Sequence, residues 1–136
     1  MSTFQLTIVT PDGEFYRGPA ESLTVRAASG ELTLLAHHID FAAALGMGEA
    51  RVTIDGQKRH ACCIGGMLAM TKNEARLIAT SFEWADQIDL ERAKDALSRA
   101  ETALERPDLT KEERKLREAA KRRAQVRISI AEANQK

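Results

Sequence analysis

All eight glycines of this 136-residue chain lie before Met67, and the last seventy residues contain none. Glycine is the usual residue for turns that need a left-handed backbone, so tight turns belong to the front of the chain and long unbroken elements to the back. The front does read as strands. Phe4, Leu6 and Ile8 alternate with Gln5 and Thr7, and Pro11-Asp12-Gly13 supplies a turn. Leu23 and Val25 alternate before Ser29-Gly30, and Gly46 and Gly48 bracket a further expected turn. Val52 and Ile54 lead into Asp55-Gly56, a two-residue hairpin signal, with a return strand through Ile64. Gly65-Gly66 is expected to interrupt, Met67 to Met70 to resume, Thr71-Lys72-Asn73 to turn, and Ala75 to Thr80 to close the series. Short strands at close spacing, with no helical stretches between them, favour a β-sandwich over a parallel α/β sheet.

From Asp86 the period changes. Leu90, Ala93, Leu97, Ala100 and Leu104 recur every three or four residues, the stripe of an amphipathic helix with Asp89 as its N-cap. Pro107-Asp108 ends the run, and Thr110-Lys111-Glu112-Glu113 is a capping box that opens a second helix. Its apolar stripe runs through Leu116, Ala120, Ala124, Ile128 and Ala131. So short a connection makes the helices antiparallel neighbours. The expected architecture is a β-sandwich over 1–85 followed by an antiparallel α-helical hairpin over 86–136. Alanine buries little apolar area, so the hairpin is either a movable element or a permanently docked completion of the fold.

Charge follows the same division. Residues 1–86 carry seven basic and ten acidic side chains, residues 87–136 thirteen and ten, and the whole chain is neutral. That balance argues against a nucleic-acid partner. No apolar run is long enough to cross a bilayer, and Met1-Ser-Thr-Phe-Gln does not read as a signal peptide, so a cytoplasmic location is expected. Cys62 and Cys63 are adjacent, hence pointed to opposite faces of a strand, and are read as reduced packing residues.

Candidate chemistry concentrates in the arginines. Arg92 and Arg99 are seven apart and Arg123 and Arg127 four apart, so each pair shares a helix face and the two pairs can converge on phosphate oxygens. Asp89 and Glu83 could accept hydrogen bonds from a base, a ribose or an arginine. The competing reading is a solvated face balanced by Glu91, Asp95 and Glu101. Around the second helix, eight basic residues from Lys111 to Arg127 stand against Glu112, Glu113 and Glu118, with no interleaved aromatics, which suits an acidic protein surface. There is no phosphate-binding glycine loop and no nucleophile elbow, so no catalytic residues are expected. His37, His38 and His60 with Asp40 are read as surface or packing residues and not as a metal site.

Several segments together resemble the epsilon subunit of F-type ATP synthases. They are Leu6-Thr7-Ile8-Val9-Thr10-Pro11-Asp12-Gly13, Gly30-Glu31-Leu32, Ile64-Gly65-Gly66, Ile88-Asp89-Leu90-Glu91-Arg92-Ala93 and Arg123-Ala124-Gln125-Val126-Arg127-Ile128. The chain departs from the family between 33 and 40, where Thr33-Leu34-Leu35-Ala36-His37-His38-Ile39-Asp40 lacks the usual prolines and internal glycines and needs another way to make its turn. The resemblance implies a non-catalytic, peripheral subunit of an ion-translocating synthase at the cytoplasmic face of the membrane. It implies contacts with the gamma subunit and the c-ring, with Glu31 and His38 as rotor contacts. It implies helices that reach the alpha and beta catalytic subunits and restrain hydrolysis, with Arg122, Arg123 and Arg127 as inhibitory contacts. No cofactor is required, but ATP is an implied regulatory ligand at Glu83, Ile88, Asp89, Arg92, Ala93, Arg99, Arg123 and Arg127. A free-standing ATP-sensing module and a generic helical-hairpin interaction module are the alternatives.

Overall fold

A computed structural model describes residues 2–134; positions 1, 135 and 136, at the outer ends of the two expected segments, lie outside the described residues. The chain divides into two compact units, Met1–Ala85 and Asp86–Lys136. The first contains β1 (Phe4–Thr10), β2 (Gly13–Ala20), β3 (Ser22–Ala27), β4 (Gly30–Leu35), β5 (Phe41–Ile54), β6 (Gln57–Thr71), β7 (Glu74–Ile78) and β8 (Ser81–Trp84). They hydrogen-bond in the order β2-β1-β7-β6-β5-β3-β4, with β8 on β6. Every pairing is antiparallel except β1 with β7.

The long β5–β6 hairpin turns this sheet into a sandwich. β6 pairs with β8 over Ala61–Ile64 and with β7 over Met67–Thr71, changing partners at Gly65-Gly66. Gly65 and Gly66 have φ of 64° and 119°, and a Cβ on Gly66 would overlap the Ile78 carbonyl and lie 2.9 Å from Ala79 Cα. The two glycines therefore bend a continuous strand rather than interrupt it, which corrects the sequence reading. Gly46 and Gly48 likewise lie inside β5 and do not bracket a turn. The β3–β5 register shifts opposite them, and a Cβ on Gly48 would crowd the Arg26 side chain at 3.1 Å. A strand was also missed: β8 follows Thr80, and its Phe82 and Trp84 pack with Phe15 at ring separations of 5.1–5.6 Å. The Arg59 guanidinium covers Trp84 at 3.9 Å.

Between the layers lies one apolar cluster that includes Phe4, Leu6, Ile8, Leu23, Val25, Leu34, Val52, Leu68, Met70 and Leu77, the inward half of each alternating strand. Asp55-Gly56 makes the expected hairpin, both residues left-handed at φ 50° and 75°. Lys72-Asn73 does the same at φ 51° and 62°. Cys62 and Cys63 are both free and buried, and only Cys63 faces the cluster, as strand alternation requires.

In the second unit a 3-10 turn, Ala85–Gln87, leads to α1 (Leu90–Leu104) and α2 (Lys111–Ala133), which pack on each other. The Asp89 carboxylate accepts from the Arg92 N–H at 3.1 Å, capping α1. Thr110 Oγ1 accepts from the Glu113 N–H at 3.1 Å, the cap expected for α2; each such cap is worth about 1 kcal/mol. Ala93 and Ala100 are buried on α1, and Ala124, Ile130 and Ala131 on α2. Leu116 departs from the expected stripe: 69% of it is exposed. The first two turns of α2 are exposed all round, so a side chain there has no face to hide.

Candidate functional site

The hairpin's geometry follows from its buried alanines. Successive helical residues turn by about 100°. Arg92 and Arg99 each precede a buried alanine by one position, and so stand on the same flank of α1. Arg123 precedes Ala124 by one and Arg127 precedes Ala131 by four, which places both on the preceding flank of α2. When two antiparallel helices face one another, their preceding flanks fall on one side of the pair. The opposite side is marked independently: Glu101, one residue after Ala100, meets Lys121 across the hairpin at 3.9 Å. Helical geometry thus gathers all four arginines on one side of the hairpin. Arg92 and Arg99 are exposed, and Arg123 and Arg127 half-buried.

Ile88 and Asp89 immediately precede α1, half-buried and exposed respectively, and Ala93 is a buried seam residue. One Asp89 oxygen is already engaged as the cap, so any ligand would share that carboxylate with the helix. Glu83 stands on β8 in the first unit, opposite Cys62. Arg122 is exposed, next to Arg123 on α2. Such an array presents guanidinium forks suited to an anion.

The two candidate rotor residues are not neighbours. Glu31 opens β4 beside the Gly30 turn, whereas His38 lies beyond its other end, where the His38 N–H donates to the Leu35 carbonyl at 3.3 Å. Glu31 belongs to a charge group that spacing did not reveal, because its members come from three strands. Arg51 donates to Glu31 at 2.8 Å and to Glu49 at 3.1 Å, and Glu49 lies 3.3 Å from His60 Nδ1. The Glu49 hydrogen bond, and after it Glu31, raise the Arg51 pKa against the opposing effect of burial. His38 stacks on Phe41 with ring centres 5.0 Å apart.

An apolar row crosses the sheet. Met67 pairs with Ala44 on one side and Ile78 on the other, and Ile78 pairs with Val9. Met67 and Ile78 are each 48% exposed. Beside them Thr10, Pro11, Gly66, Ala79 and Thr80 complete the lining of a shallow depression of about 390 Å³. Among the described residues no helix is long and apolar enough to cross a membrane.

Residues 3–85 match the family described as ATP synthase, Delta/Epsilon chain, beta-sandwich domain. The ATP synthase epsilon chain of Bacillus pumilus is 37% identical over 131 residues, covering 96% of this chain and 98% of that one. That of Caldicellulosiruptor bescii is 34% identical over 134 residues, covering 98% and 97%. The fold is similar to a chain in the mitochondrial ATP synthase of Euglena gracilis, with a TM-score of 0.69 at 22% identity, covering 97% of this chain and 79% of that one. A chain of the Tetrahymena thermophila central stalk and c-ring gives a TM-score of 0.60 at 12% identity, covering 93% and 95%.

Proposed function

This chain belongs to the ATP synthase epsilon-chain family, and from that premise we propose that it sits in the central stalk of an F-type synthase, peripheral to the membrane, and restrains ATP hydrolysis through its helical hairpin. It is a non-catalytic subunit of the rotary complex. The observation that carries the reading is the relationship itself, which runs through both units of the chain at 37% identity over 96% of its length.

The partners follow from the surfaces. The Ala44–Met67–Ile78–Val9 row and its depression suit a packed protein neighbour, and in the central stalk that neighbour is gamma. Glu31 and His38, at opposite ends of β4, serve two different rotor contacts, so gamma and the c-ring need not share one end of the sandwich. The test is co-purification with gamma, alpha and beta chains. Wild type is expected to co-elute with gamma, and Met67→Asp with Ile78→Asp to abolish co-elution. A chain that never associates with gamma overturns the assignment.

ATP is the ligand that the arginine side of the hairpin best fits. Four guanidiniums on one side of two antiparallel helices can close on a triphosphate only while the helices stay together. ATP would then favour the paired arrangement by its differential affinity for it, and by no more. Titration calorimetry of the full chain with ATP tests this; no heat at millimolar nucleotide would make the arginines a solvated face.

A further inference from the structure

The turn that carries His38 has little in its own sequence to hold it. Residues 36–40 contain no glycine and no proline, and His37 is left-handed at φ 64°, a conformation that costs a residue with a Cβ and gives a free loop reason to relax. The restraint comes from residues more than thirty positions away. The His37 N–H donates to Asn73 Oδ1 at 2.7 Å, and the Lys72 N–H donates to Asp40 Oδ1 at 3.1 Å. The other end of the Asn73 amide donates to the Thr3 carbonyl at 3.0 Å, while the Asn73 carbonyl accepts from the Gln5 N–H at 3.1 Å. Asn73 is thus the junction of three segments: the β6–β7 turn, the 36–40 turn and the chain entering β1.

We propose that Asn73 is a positioning residue for a rotor contact, acting through His37 to fix the turn that presents His38 and Ile39. Ile39 is 77% exposed, and His38 is held by its own ring, stacked on Phe41, and by the 2.9 Å contact of Nδ1 with the Ile39 carbonyl. An exposed isoleucine beside an ordered imidazole makes a useful contact only if the backbone beneath it is already in place, because ordering it on binding would weaken the complex. In this chain a side-chain amide does what local proline and glycine would otherwise do. Asparagine suits the post twice over, since it tolerates the left-handed φ of 62° and offers both an acceptor and a donor. The inference rests on the proposed reading that this turn meets the rotor.

Two substitutions separate the brace from the backbone. Asn73→Gly keeps the left-handed turn and removes the amide; Asn73→Asp keeps the acceptor for the His37 N–H and removes the donor to Thr3. The readouts are hydrogen exchange at the His37 amide of the full chain and affinity for a detergent-solubilised gamma–c-ring complex. Asn73→Gly should speed exchange and weaken affinity, each roughly tenfold for the loss of two side-chain hydrogen bonds. Asn73→Asp should restore protection at His37 and most of the affinity. Unchanged affinity in Asn73→Gly despite lost protection, or Asn73→Asp no better than Asn73→Gly, overturns the inference. The double variant His38→Ala, Ile39→Ala keeps the two readings distinct. If it binds like wild type, the turn does not meet the rotor and the inference falls with that premise. If it binds weakly while Asn73→Gly binds normally, only the positioning role is lost.

Discussion

Glu101 and Lys121 meet across the C-terminal hairpin at 3.9 Å, on the side of the alanine seam away from Arg92, Arg99, Arg123 and Arg127. The pair is more than half solvated on the glutamate side and adds little stability itself. Its value is as a marker, because it shows which flanks of α1 and α2 coincide. The hairpin therefore has one mixed-charge side and one side on which these four arginines gather.

That asymmetry predicts how the proposed ATP binding responds to mutation. A charge-assisted contact is worth about 1.5–3 kcal/mol, so Arg92→Ala or Arg123→Ala should weaken ATP binding roughly ten- to a hundredfold in titration calorimetry. Lys121→Ala removes a positive charge of the same helix from the opposite side and should change affinity less than about threefold. Equal losses in all three variants would mean a diffuse electrostatic effect with no defined site.

Asp89 caps α1 and is also a proposed nucleotide contact, and one substitution can part the two roles. Asp89→Ala removes the α1 cap and should cost the hairpin about 1 kcal/mol, read as lost helicity on warming. Asp89→Asn keeps a capping oxygen and removes the charge, so its melting should match wild type. A change in nucleotide affinity in Asp89→Asn alone would then belong to the ligand and not to the helix.

The bend in β6 should be the least tolerant point of the sandwich. Gly66→Ala drives a Cβ into the Ile78 carbonyl at φ 119° and should cost about 3 kcal/mol or more. Gly56→Ala, at φ 75° with nothing within 4 Å, should cost only about 1–2 kcal/mol of backbone strain. Urea unfolding followed by the single tryptophan, Trp84, compares them in the full chain.

Cys63 gives a pH signature. Burial first, and Cys62 second, push its thiol from 9.0 up to about 12. Above pH 9 the unfolded chain releases a proton that the folded chain retains until about pH 12, so stability falls as pH rises through that window. The loss from this group should be on the order of 1 kcal/mol at pH 10 relative to pH 7, and absent from Cys63→Ala. Urea midpoints of the two proteins at both pH values check it.

What the sequence disclosed and what it hid follow from the range of the interactions. Alternation at Phe4, Leu6 and Ile8, the Asp55-Gly56 turn and the Asp89 and Thr110 caps are local, and each is where the residues put it. Gly46, Gly48, Gly65 and Gly66 looked like turn residues because glycine marks any departure from a flat strand, and only the neighbouring strands decide between a turn and a bend. The β8 strand was masked by its brevity, four residues of which two are aromatic. Leu116 looked like core because a stripe extrapolates past the point where its partner helix ends. The same-face arginine pairs were visible in spacing, but their gathering on one side needed the knowledge of which alanines are buried in the seam. The Arg51 charge group and the Asn73 brace join residues twenty to seventy positions apart, beyond any local pattern.

The regulatory role of the hairpin is tested most directly by ATP hydrolysis in the assembled enzyme, comparing the full chain, a chain ending at Ala85, and a chain carrying Arg122→Glu, Arg123→Glu and Arg127→Glu. The strands of the sandwich end at Trp84, so the shortened chain retains every one of them. Hydrolysis should rise in both altered enzymes, because each removes the basic surface proposed to restrain it. Hydrolysis equal to that with the full chain in both would contradict an inhibitory hairpin.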